Sequence, residues 1–120
     1  MKMSIAGVVA LAVFAWANTA DAQSRRAIEA QETGVAQIHT WVKVGRKTCM
    51  LDHFHDGSGT GRTKRDAERA AIVAWSEFTA WEYGPPWGRY TIAESKQATC
   101  SQQSPSSWSC AIQARPCRPY

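Results

Sequence analysis

The hydrophobic and polar positions divide the chain into six stretches. An apolar run from Ile5 to Ala17 comes first, followed by a polar stretch, Gln23 to about Thr33, which carries Arg25, Arg26, Glu29 and Glu32. Apolar content then rises again. Val35–Val44 and Lys47–Phe54 each alternate apolar with polar residues, and Gly45-Arg46 lies between them, which predicts two strands joined by a tight turn. Residues 53–62 read as a loop, with Gly57, Gly59 and Gly61 at every second position. Beyond Thr63 the period changes from two to that of a helix. Ala67, Ala71, Ala74, Trp75, Phe78 and Trp81 form one apolar stripe, with Arg65, Glu68, Arg69, Ser76 and Thr79 mainly on the other side. Thr63 followed three residues later by Asp66 is a capping signal, and Gly84-Pro85-Pro86 ends the helix because proline cannot continue one. The last third predicts a second hairpin, Tyr90–Ser101 against Ser107–Arg115, turning through Gln102–Ser106.

These elements predict an α+β domain of hairpin–helix–hairpin order, an antiparallel sheet packed on one helix. With the second turn centred on Pro105, Cys100 faces Cys110 and Ala98 faces Ile112, so a Cys100–Cys110 bridge is expected. Four cysteines allow three pairings. The one chosen leaves Cys49 with Cys117, giving two disulfides.

Met1-Lys2-Met3, the apolar run and the small-residue triplet Ala20-Asp21-Ala22 together have the form of a signal peptide over residues 1–22. The run is roughly thirteen residues, short of the ~20 that span a bilayer, and no second such run follows, so no membrane span is expected after cleavage. Residues 23–34 are then a flexible lead-in and 35–120 a single domain, periplasmic or secreted, where cysteines oxidise. Cleavage removes one lysine and one aspartate and leaves the net charge of +4 unchanged. A domain this small has a thin core, and covalent staples help it.

Residues from about Ala67 onward also carry a recurrent pattern: Ala71-Ile72-Val73-Ala74-Trp75, Tyr83-Gly84, Trp87, Ala93 with Lys96, Cys100, Cys110 and Ala114-Arg115-Pro116-Cys117. In this the chain resembles an uncharacterised family of small exported proteobacterial proteins. The resemblance implies a shared scaffold and transfers no catalytic residue.

Candidate chemistry concentrates between Asp52 and Arg65. The glycines Gly57, Gly59 and Gly61, running into a helix start crowded by Arg62, Lys64 and Arg65, form a candidate anion site, since helix N-termini present free N–H groups and positive potential. The spacing is neither that of a P-loop nor that of a dinucleotide fingerprint. His53, His55 and Asp56 form a candidate metal set, because residues two apart on a strand share a face and imidazole with carboxylate suits Zn²⁺ or Cu²⁺. His39 is a possible third histidine ligand. Trp75, Phe78 and Trp81 are expected in the core, whereas Trp87 and Tyr90, beside the Gly-Pro-Pro break, are expected nearer the surface.

The expectation is a small basic domain with a binding or interaction role, no cofactor, and an anionic envelope component, polyanion or acidic protein as partner. The alternatives are a metal-dependent or phosphate-handling enzyme using His53, His55 and Asp56, and an inhibitor or immunity-like partner of another exported protein.

Overall fold

The turn at Gly45-Arg46 forms as its sequence requires. Gly45 takes φ +61°, a conformation costly for other residues, and Val44 pairs with Lys47 across it. The computed structural model describes residues 19–120, so most of the expected leader lies outside the described residues. The chain divides into two units, 1–30 and 31–120. In the first, the described residues form a helix, α1, over 19–29, where alanine, arginine and glutamate favour helix over the frayed lead-in expected.

In the second unit, residues 31–34 already belong to the fold. The Thr33 side chain caps the short helix α2 (Gly34–Gln37) and also donates to the Glu82 carbonyl at 2.5 Å. The first predicted strand is therefore shorter than the pattern suggested, running as β1 (Trp41–Val44) against β2 (Lys47–Met50). A late strand, β6 (Cys117–Pro119), adds to β2 and closes one sheet of order β1-β2-β6.

The second sheet has order β3-β5-β4, with β3 (His55–Gly61), β4 (Glu94–Ser104) and β5 (Ser107–Arg115) all antiparallel. Cys100 pairs with Cys110 and Ala98 with Ile112, the register expected from the turn at Pro105. Both disulfides join residues directly opposed on neighbouring strands, Cys49–Cys117 in the first sheet and Cys100–Cys110 in the second. No cysteine is free.

Helix α3 (Lys64–Tyr83) starts where Thr63 accepts from the Asp66 N–H and stops at Gly84, whose φ of +108° and contact with the Gln31 carbonyl leave no room for a side chain. Residues 55–61 are a correction to the sequence reading: they form the strand β3, not a loop. Gly57, Gly59 and Gly61 alternate on the face beneath α3, where an added Cβ would lie 2.4–2.7 Å from the backbone of Ala67 and Ala71. Glycine at every second position thus makes a flat lane on which the alanine face of the helix rests at backbone contact.

The buried helix face also differs from the expected stripe. It is Ala67, Ala71, Trp75, Thr79 and Tyr83, whereas Phe78 and Trp81 are exposed, Trp81 to 77%. A spacing of four drifts around a 3.6-residue helix, so the buried line winds from one partner to another. Its start packs with Ala93, Cys110, Ile112 and Ala114. Its last turn puts Tyr83 in a second cluster with Ala36, Met50 and Trp87. Trp87, expected near the surface, is fully buried there, and Tyr90 is half-buried against the first cluster. Two short 3₁₀ turns, Pro85–Gly88 and Tyr90–Ile92, carry the chain from the helix to β4. Arg118 lies over the rings of Trp41 and Trp87 and pairs with Glu32 at 2.5 Å, covering the second cluster with a near-buried ion pair.

Candidate metal centre

Strand parity and helix register together decide which polar groups meet. On β3 the odd-numbered residues face α3, so His55 continues the glycine lane and lies over the last turns of the helix. There it meets Thr79 and Glu82. Nδ1 of His55 is 2.8 Å from the Thr79 hydroxyl, and its Nε2 is 2.7 Å from a Glu82 carboxylate oxygen. His53, two residues earlier, lies on the same side with its ring 5.1 Å from that of His55. One ligand atom each from His53, His55 and Glu82 falls within 4.8 Å of the others.

Asp56 departs from the expected set. Even-numbered and exposed, it points to the other face of β3, where Gln113 donates to it at 3.1 Å. Glu82, not singled out in the sequence, supplies the carboxylate instead. The remaining histidine, His39, follows α2 and brings its ring to 4.8 Å from His53, so all three histidines of the chain gather here. Tyr83, fully buried, lies beneath them, with ring centroids 4.8 Å from His55, 5.1 Å from His39 and 5.9 Å from His53. Phe78 flanks His55 at 4.9 Å and stacks on the exposed Trp81.

The hydrogen bonds fix the protons. The Thr79 hydroxyl donates its one hydrogen to the Trp75 carbonyl at 2.7 Å, so toward His55 it can only accept. Nδ1 of His55 therefore carries a proton, and in the neutral ring Nε2 is a bare lone pair. Nε2 and the Glu82 oxygen are both buried and lie 2.7 Å apart, an ion-pair distance. Two buried electron-rich atoms placed side by side in this way call for a cation between them. Burial lowers the His55 pKa most, the charge of the Glu82 carboxylate and a hydrogen bond with it oppose that, and His53 and His39 lower it further. A proton or a metal ion can fill that role. Burial also raises the Tyr83 phenol, with Glu82 adding to the effect, so it stays a neutral O–H.

Two imidazoles and a carboxylate suit a borderline divalent metal ion of the Zn²⁺ or Cu²⁺ kind. Bonds of about 2.0–2.2 Å to one ion require ligand atoms roughly 3–3.5 Å apart, so Glu82 would ease away from His55 and His53 would turn inward.

The expected anion set is placed differently. Its glycines lie on a strand paired with β5 and pack under α3, not in a loop at the helix start. Arg62, Lys64 and Arg65 stay exposed at the helix start and make no ion pair among the described residues. No family model, curated protein or solved structure matches the chain. The two disulfides fit an oxidising, extracytoplasmic setting. No helix among the described residues is long and apolar enough to cross a membrane.

Proposed function

We propose that the protein is an exported, disulfide-stapled binding domain whose ligand is a divalent transition-metal ion held by His53, His55 and Glu82. The observation that carries this reading is the buried pair of His55 Nε2 and the Glu82 oxygen, side by side with the proton of His55 engaged elsewhere. Export is supported by the leader-like residues 1–22 and by the oxidised cysteines. The free cations Arg62, Lys64 and Arg65 support a second contact, with an anionic envelope component, polyanion or acidic protein.

The test uses the mature protein stripped by a chelator and titrated with Zn²⁺ and Cu²⁺ against a competing indicator. One equivalent should bind, and His55→Ala and Glu82→Gln should each weaken binding by roughly tenfold or more. Binding that neither variant weakens would end the proposal.

A further inference from the structure

We infer that His39 is the fourth ligand of this centre, so that the site is a closed one of three imidazoles and one carboxylate. The inference rests on the metal reading above and decides what kind of site it is. With three protein ligands a zinc site keeps a position for water or substrate, the arrangement of catalytic centres. With four it is closed, the arrangement of structural or carried ions.

The argument starts from the ring of His39. Its Nδ1 is 2.8 Å from the Val35 carbonyl oxygen. A carbonyl only accepts, so Nδ1 is the N–H nitrogen and Nε2 holds the lone pair. Nε2 faces the Tyr83 hydroxyl at 3.4 Å, a long contact in which the phenol is the donor. His39 thus repeats the state of His55, whose Nδ1–H is tied to Thr79 and whose Nε2 is bare. Both rings have one nitrogen fixed by a protein oxygen and the other available, as histidine ligands to metals do.

The position of His39 points the same way. Its ring meets His53 edge-on at 4.8 Å and Tyr83 at 5.1 Å, and the Tyr83 ring is also the surface on which His55 stacks. The backbone N–H of His39 bonds to the Ala36 carbonyl, closing the end of α2. Ala36 is buried, and Thr33, the cap of α2, is bonded to the carbonyl of Glu82, the residue that supplies the carboxylate. One hydrogen bond therefore couples α2, which His39 follows, to the last turn of α3, which carries Glu82. Nε2 of His39 is not among the ligand atoms that already lie within 4.8 Å of one another, so His39 would have to shift toward His53 and give up the weak Tyr83 contact to reach the ion.

The experiment uses the mature protein with Co²⁺ as a spectroscopic probe and Zn²⁺ for affinity, on wild type, His39→Ala, His39→Gln and His55→Ala, each checked for fold by circular dichroism. Wild type should give the intense visible bands of four-coordinate Co²⁺. Both His39 variants should bind zinc roughly tenfold or more weakly and show the fainter bands of a solvent-ligated, higher-coordinate ion. His39 variants that keep wild-type spectrum and affinity while His55→Ala loses both would overturn the fourth ligand and leave the three-ligand site standing. A wild type that binds neither ion, or a His55→Ala that binds like wild type, would overturn the metal reading and this inference together.

Discussion

Replacing Thr79 by valine keeps the shape of a fully buried side chain and removes one oxygen. That oxygen accepts the Nδ1–H of His55 and passes a hydrogen bond on to the Trp75 carbonyl. In the variant the imidazole N–H is left buried without an acceptor, a penalty of about 1–3 kcal/mol. The added methyl contributes about 0.8 kcal/mol in return, so the net loss should be about 0.2–2 kcal/mol. For a domain of this size that lowers the melting temperature by roughly 1–15 °C. Metal affinity should fall as well, by about 10–100-fold, because the ring loses the partner that fixes its orientation and proton. Thermal unfolding by circular dichroism and zinc competition titration measure the two effects, with Thr79→Ser as the control that restores the oxygen. The reasoning fails if Thr79→Val matches wild type in both, or if Thr79→Ser loses as much as Thr79→Val.

Gly59→Ala places a Cβ 2.4 Å from the Ala71 nitrogen and 2.6 Å from the Ala70 carbonyl carbon, so α3 must lift off the strand. Urea unfolding should show about 1–3 kcal/mol of destabilisation, and Gly34→Ala, where the space is open, should show little. Replacing both members of a bridge by serine should cost about 4 kcal/mol for Cys49–Cys117, which spans 68 residues, against about 3 kcal/mol for Cys100–Cys110, which spans 10, also read by urea unfolding. The Lys47 hydrogen bond holds the Glu94 carboxyl below its ordinary pKa. Its contribution is therefore present above the unfolded carboxyl's pKa and lost as pH falls through the lower folded value. Glu94→Gln should accordingly flatten the acid side of the stability–pH curve, by less than about 1 kcal/mol for so exposed a pair. Changing Arg62, Lys64 and Arg65 together to alanine should leave the melting curve in place and abolish retention on a polyanion column at low salt, whereas equal retention would count against the anionic contact.

What the sequence made legible was local. Thr63 and Gly84-Pro85-Pro86 mark the helix ends because caps and prolines act within a turn, and the Cys100–Cys110 register follows once the hairpin turn is placed on Pro105. The glycines at 57, 59 and 61 have a period of two, which is a strand signal, yet their composition reads as a loop. What decides between them is the helix pressing on that face, and nothing nearby in the chain announces it. Phe78 and Trp81 fit an amphipathic stripe but sit outside because α3 serves two clusters along its length. His53 and His55 were grouped by their spacing, whereas Asp56 faces the other side of β3 by parity. Glu82 reaches His55 only through the seating of α3 on β3, across 27 positions of sequence.

Each sulfur bridge stays inside one sheet, so neither ties α3 covalently. The longest element of the domain rests on glycine and alanine contacts and on one indole, Trp75, that donates to the carbonyls of His55 and Ala114 on neighbouring strands. Covalent chemistry armours the ribbons and leaves the cylinder detachable. An ion gripped by His55 on one side and Glu82 on the other would act as the missing rivet, tying shut the seam that oxidation leaves open.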